Sequence, residues 1–71
     1  MSNEMEFFSF LLQKYAQYKN TTADLVLQKW DELGITDYIY NMYEMYHIES
    51  LSNAFADIDM LTNKKEGLYK K

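Results

Sequence analysis

Large apolar side chains recur three or four residues apart along most of the chain, which is the spacing of one face of an α-helix. In the first such segment this face consists of Met5, Phe8, Leu12, Tyr15 and Ala16. Asn3 and Glu6 precede most of it at the spacing of a capping box. The pattern predicts a first helix from Glu4 to about Lys19, which ends where Asn20 and two threonines follow.

A second helix is predicted from Ala23 to Leu33, with Val26, Trp30 and Leu33 on its buried face. Thr21 or Thr22 is placed to cap its start, since a threonine oxygen accepts hydrogen bonds from the first free N–H groups. Gly34 directly follows the last apolar position, and glycine readily adopts the left-handed conformation that ends many helices. Ile35 then supplies the apolar contact that often accompanies this ending.

The same spacing predicts a third helix from Asp37 to about Tyr46 and a fourth that ends at about Asn63. Residues 47–50 form the predicted loop between them, and Ser50 or Ser52 caps the fourth helix. Its inner face consists of Ala54 or Phe55, Ile58 and Leu61. We therefore expect an all-α fold: a compact single domain of about four short helices over residues 1–63, followed by a basic C-terminal tail at 64–71.

The composition lacks most of the side chains that proteins use for catalysis and metal binding, because the chain has no Cys, no Arg and a single histidine. Disulfides are impossible and the usual zinc sites lack ligands, so stability must come from helix packing or from a partner. His47 stands alone near a helix end, where histidines more often complement the helix dipole than catalyse reactions. Asp57 and Asp59 lie two positions apart and do not share a helix face, which predicts solvated carboxylates. We expect no catalytic residue, no metal and no cofactor.

Charge is distributed unevenly along the chain. Residues 1–63 contain three Lys and ten Asp or Glu, whereas residues 64–71 contain four Lys and one Glu. An acidic body repels nucleic acid and favours a basic protein partner. A helix-turn-helix around Gly34 is disfavoured, because residues 37–46 carry no basic side chain to reach bases or phosphates. No apolar stretch approaches the ~20 residues of a membrane span. These features predict a cytoplasmic protein.

Several short motifs resemble those of a family of small bacterial proteins that carries only a domain-of-unknown-function label. They are Tyr15–Asn20 (YAQYKN), Leu33–Ile39 (LGITDYI), Tyr43 with Tyr46-His47, and Asp57-Ile58-Asp59. The resemblance covers roughly residues 5–62; after the histidine, the family continues with Thr, a variable residue and Gly, where this chain has Ile48-Glu49-Ser50. Members are often encoded on mobile elements, sometimes beside a protein resembling an ADP-ribosyltransferase. The resemblance implies an antitoxin-like role, in which the small acidic protein neutralises its neighbour.

The tyrosines of the third helix are the remaining signal of function. Tyrosine and methionine supply apolar anchors for protein binding, and a short helix cannot bury such residues on every side. The predicted partner-binding residues are Tyr38, Tyr40, Tyr43 and Met45 as anchors, with Asp37 and Glu44 aiding orientation. We expect a non-catalytic protein-interaction module. Two alternatives stay open: a homo-oligomer that hides the aromatic surface against itself, and an acidic inhibitor that mimics nucleic acid.

Overall fold

The computed structural model describes residues 3–69, which form five α-helices and no strand. The helices are α1 (Asn3–Tyr18), α2 (Ala23–Leu33), α3 (Thr36–Asn41), α4 (Tyr43–Ile48) and α5 (Leu51–Tyr69). The predicted all-α class is confirmed, and Asn3, expected as a cap, is already helical. No helix in this part of the chain combines the length and the apolarity needed to cross a bilayer.

The turn between α1 and α2 forms where the sequence predicts it. Asn20 adopts a positive φ of 60°, and the Thr21 N–H donates to the Ala16 carbonyl at 2.9 Å, which closes the last turn of α1. Thr22 caps α2, because its side chain accepts a hydrogen bond from the Leu25 N–H at 3.3 Å. Two of the three expected interrupting residues therefore have separate roles, one ending a helix and one starting the next.

Gly34 ends α2 in the left-handed conformation, with φ 71° and ψ 29°. The Ile35 N–H then donates to the Trp30 carbonyl at 2.9 Å, and the Ile35 side chain is buried. This is the predicted combination of a left-handed glycine and an apolar contact. It turns the chain back so that α3 packs against α2.

The predicted third helix is broken in two, which corrects the sequence-based boundary. α3 ends at Asn41 and α4 begins at Tyr43, with Met42 between them at φ −84° and ψ 14°. The Met42 N–H bonds to carbonyls of the preceding turn, and the Met42 carbonyl accepts from the Tyr46 N–H. α4 extends to Ile48, so half of the predicted loop at 47–50 is helical.

The last helix is longer than predicted. Ser50 is the residue that caps it, accepting a hydrogen bond from the Asn53 N–H at 3.3 Å. α5 then continues to Tyr69 instead of ending at about Asn63. Lys29 of α2 pairs with Glu66 at 2.7 Å, which holds this extension against α2. Most of the segment expected as a separate basic tail is therefore helical, and Lys70 and Lys71 lie outside the described residues.

The core draws on all five helices and on the α2–α3 connection. Its buried members are Leu11, Leu12, Tyr15, Ala16, Val26, Trp30, Leu33, Ile35, Ile39, Tyr46, Ala54 and Ile58. The described residues have no buried charged side chain. Met5, expected on the inner face of α1, is 42% exposed because it lies in the first turns of the helix, beyond the centre of the core.

We predict that Gly34→Ala lowers the free energy of unfolding by about 1–2 kcal/mol. An added Cβ at Gly34 meets no atom within 4 Å, so the expected loss arises from the positive φ and not from a clash. Urea denaturation followed by circular dichroism measures it.

Gly67→Ala is the matched control, because it also adds a methyl group into open space but lies within α5. Alanine should stabilise that position by about 0.5–1 kcal/mol, since glycine is a poor helix former. Equal effects of the two substitutions would contradict the assignment of Gly34 as a conformational stop.

Candidate functional site: a groove beside the last helix

Exposed methionine and tyrosine side chains gather along a groove between the α3–α4 pair and α5. We call it the Met–Tyr groove; it is lined by Tyr38, Met42, Met45, Tyr46, Glu49, Asn53, Ala56, Asp57 and Met60. Its volume is about 380 Å³. It is bounded by the three consecutive helices α3, α4 and α5, and it forms because α5 packs against α4.

The floor of the groove is fixed by a hydrogen bond between α4 and α5. Tyr46 is 1% exposed, and its hydroxyl donates to Asp57 Oδ2 at 2.5 Å. Burial raises the pKa of the Tyr46 hydroxyl far above its ordinary value, and the hydrogen bond to Asp57 raises it further. Tyr46 therefore keeps its proton at neutral pH and can donate this hydrogen bond to Asp57 at the groove.

The walls of the groove are apolar and exposed, whereas its charged groups are all acidic. Tyr38 is 49% exposed, Met45 53% and Met60 67%. The charged lining residues are Glu49 and Asp57, and no lysine is among them. Flexible methionine side chains adapt to different apolar partners, and the carboxylates favour a partner of positive charge.

The six predicted partner-binding residues are distributed over three depressions. Tyr38 and Met45 line the Met–Tyr groove. Tyr43 and Glu44 line a different depression of about 340 Å³, which Met45 also borders. Asp37 lies in a third, small depression beside Gly34.

Tyr40, in the same depression as Tyr43, is half-buried like it because both tyrosines pack on α1. The Tyr40 ring lies 5.5 Å from the Phe8 ring, and the Tyr43 ring lies 5.7 Å from the Phe7 ring in an edge-on contact. His47 stacks on Tyr43 with ring centroids 4.9 Å apart. These two tyrosines therefore support α1 as well as presenting part of their surface to solvent.

The groove also contains residues that the sequence pattern did not single out for binding. Met60 and Asp57 come from α5, and Glu49 precedes that helix. Glu49 follows Met45 by four residues, which is a helical spacing. No such spacing relates Asp57 or Met60 to Tyr38 and Met45, because their proximity depends on how α5 packs against α4. The one sequence feature that could have indicated Met60 is the number of methionines outside the predicted core.

Asp59 corrects the expectation that both aspartates of α5 are merely solvated. Asp59 Oδ1 accepts from the Tyr15 hydroxyl at 2.5 Å, and Oδ2 accepts from the Tyr18 hydroxyl at 3.0 Å. Lys19 Nζ lies 3.2 Å from Asp59 Oδ1 and approaches the Tyr18 ring at 5.4 Å. The two aspartates do occupy different sides of α5, as expected, but each accepts a hydrogen bond from a tyrosine of another helix.

These contacts shift the pKa of both partners. Burial alone would raise the pKa of the Asp59 carboxyl, but hydrogen bonds from Tyr15, Lys19 and Tyr18 outweigh it and hold that pKa below its ordinary value. Burial, followed by the bond to Asp59, raises the pKa of the Tyr15 hydroxyl well above its usual range. Across residues 3–69, no three His, Asp or Glu side chains converge as metal ligands.

We predict that Asp59→Asn lowers the free energy of unfolding at neutral pH by about 1–2 kcal/mol, because it replaces charge-assisted hydrogen bonds with neutral ones. The lowered folded pKa means that Asp59 stabilises the fold above its unfolded pKa, and that this stability is lost as pH falls below about 4. Urea titrations between neutral pH and pH 3 should show a shallower acid loss in the variant. Asp24→Asn, at an exposed position, is the control and should cost less than about 0.5 kcal/mol at neutral pH.

We predict that Tyr46→Phe lowers the free energy of unfolding by about 1–2 kcal/mol, because a part-buried hydrogen bond to Asp57 is lost. The raised folded pKa implies stability that is complete below about pH 10, where an unfolded tyrosine ionises, and that declines as pH rises further. Chemical denaturation at pH 8 and pH 10.5 should show a smaller alkaline decline in the variant. An unchanged decline would show that Tyr46 does not hold its proton in the fold.

Comparison with known proteins identifies a family without assigning an activity. No curated protein matches the chain, and no solved structure matches it. The family model described as "Protein of unknown function (DUF3791)" matches residues 6–65, which include every buried core residue and both aspartates of α5. The chain therefore belongs to the DUF3791 family of proteins of unknown function.

Proposed function

We propose that the protein is a non-catalytic interaction module that binds a basic, amphipathic helical segment of another protein in the Met–Tyr groove. The observation that carries the proposal is the groove's combination of exposed apolar walls with exclusively acidic charges. An apolar groove between helices is a common receptor for the apolar face of a partner helix.

The apolar contribution comes from Tyr38, Met45 and Met60, which are about half-exposed or more in the free protein. Covering such side chains on binding removes apolar surface from water and is favourable. Tyr46 and Ala56 lie beneath and beside them, so the groove has a defined shape as well as an apolar character. This arrangement can hold apolar side chains of a partner.

The electrostatic contribution favours a partner of positive charge. Glu49 and Asp57 line the groove, and the whole chain carries a formal net charge of −4. Acidic rims speed the encounter with basic proteins and disfavour acidic ones. A lysine or arginine flanking the apolar face of a partner helix can pair with Glu49 without displacing the Tyr46–Asp57 bond.

A more specific version of the proposal is that the protein has an antitoxin-like role in the bacterial cytoplasm and that its partner is a basic effector. Only the family resemblance supports this more specific version. The alternative that a second copy of the chain fills the groove uses the same apolar surface, and the experiment below separates the two.

The test uses the doubly substituted protein Met45→Lys/Met60→Lys, which places two positive charges on the groove walls. Proteins captured from native cells by the tagged wild-type chain are identified, and the affinity of any basic partner is then measured with purified components. We expect the double variant to bind at least tenfold more weakly, about 1.4 kcal/mol, and binding to weaken as salt is raised.

Leu25→Lys is the matched control, because Leu25 is 58% exposed but lies outside the groove. It should retain the wild-type affinity within about twofold. Sedimentation of the wild-type chain alone across a concentration series detects self-association. The proposal is wrong if no basic partner is recovered, if both variants weaken binding equally, or if the groove variants abolish only self-association.

A further inference from the structure

A second cavity lies on the other flank of α5, between that helix, α2 and the end of α1. We call it the α2–α5 cleft; Lys19, Lys29, Trp30, Asp59, Thr62 and Glu66 are among its lining residues. Its volume is about 250 Å³, below the ~300–1,000 Å³ of clefts that accept drug-sized ligands. The size suits a small metabolite better than a nucleotide or a peptide.

The charges of the cleft are unusual for this chain. Residues 1–63 contain only three lysines, and two of them, Lys19 and Lys29, line this one cavity. Each faces a carboxylate: Lys19 Nζ lies 3.2 Å from Asp59, and Lys29 Nζ lies 2.7 Å from Glu66. The four charges balance, so the cleft is locally neutral in an acidic protein and does not favour a simple anion or cation.

The ion pair at the outer end is suited to exchange. The Lys29 and Glu66 side chains are 49% and 29% exposed, and pairs of this kind contribute only about 0–1 kcal/mol. A ligand that carries both an ammonium and a carboxylate can lie between the two groups and form an ion pair with each of them. Thr62 lies at the same cavity, and its hydroxyl donates to the Ile58 carbonyl at 2.7 Å.

The remaining lining is apolar and includes an exposed side chain. Trp30 and Val26 are buried, whereas Leu25 at the same cavity is 58% exposed. An apolar substituent on the ligand would cover Leu25 and contact the aromatic lining, which removes apolar surface from water. Opposite charges beside an apolar wall are the features that recognise an α-amino acid.

We propose that the α2–α5 cleft binds a free α-amino acid with an apolar side chain, its carboxylate on Lys29 and its ammonium on Glu66. This site does not depend on the Met–Tyr groove, because the two cavities share no lining residue. Asp59 accepts hydrogen bonds from two tyrosines, so this part of the cleft keeps its shape when the ligand binds. At the other end, Lys29 and Glu66 exchange their mutual ion pair for ion pairs with the ligand.

The experiment titrates the intact protein with three related probes and follows Trp30 fluorescence and amide NMR shifts of α2 and α5. L-Leucine carries both charges, N-acetyl-L-leucine only the carboxylate, and L-leucinamide only the ammonium. We expect saturable binding of L-leucine, with both blocked probes binding at least tenfold more weakly because each loses one charge-assisted contact. Since Trp30 is the only tryptophan, its signal reports on this cavity.

Two variants test the assigned groups, and one variant serves as a control. Lys29→Met and Glu66→Gln should each weaken L-leucine binding about tenfold. Lys14→Met removes a lysine of α1 that lies over Phe10 and outside the cleft, and it should leave the affinity unchanged. Absence of saturable binding by L-leucine, or equal binding of all three probes to the wild-type protein, would overturn the proposal without reference to any variant. Undiminished affinity in folded Lys29→Met and Glu66→Gln proteins would overturn it as well.

Discussion

The hydrogen bond from the Tyr15 hydroxyl to Asp59 connects the first helix to the last across 44 positions of sequence. In a chain without disulfides this long-range contact adds to the packing of Ala54 and Ile58, the fully buried residues of α5. Tyr18 and Lys19 reinforce the same carboxylate, and the Phe55 ring stacks on the Tyr18 ring at 4.9 Å. Together with the buried Ala54 and Ile58, this cluster sets the position of α5, and both cavities lie beside that helix.

The last helix organises the protein on two sides. Asp57 accepts from Tyr46 toward the Met–Tyr groove, and Asp59 accepts from Tyr15 toward the α2–α5 cleft. In each case a buried tyrosine provides the hydroxyl, so the cost of burying a polar group is offset by a charge-assisted bond. Aspartate is thereby used as a structural anchor, although the chain's acidic composition first suggests a role in solubility or steering.

Local physical rules predicted the parts of the fold that depend on neighbouring residues. Thr22, Gly34 and Ser50 occupy the cap positions expected of them, and α2 has the predicted bounds. The break at Met42 was not predictable in this way, because no proline or glycine marks it. The extension of α5 brings Glu66 to Lys29, which lies 37 positions earlier, and no helical period relates the two residues.

Prediction of the candidate site was limited for the same reason. Exposed Tyr38 and Met45 follow from the excess of large side chains on a short helical segment, and the structure places both in the groove. Met60 and Asp57 complete that groove from another helix, so only the tertiary packing reveals them. The hydrogen bonds to Asp59 could not be predicted from the i, i+2 spacing of the aspartates, because their donors Tyr15 and Tyr18 lie 44 and 41 positions away.

Because Asp57 and Asp59 both belong to the first half of α5, an insertion or deletion before them would move both carboxylates at once. One residue inserted between Ser50 and Asp57 would rotate the rest of α5 by about 100° and shift it by about 1.5 Å. Both carboxylates would then turn away from Tyr46 and Tyr15 together, and both cavities would lose one wall. Insertions and deletions of single residues are therefore not expected to be tolerated in the first half of the last helix.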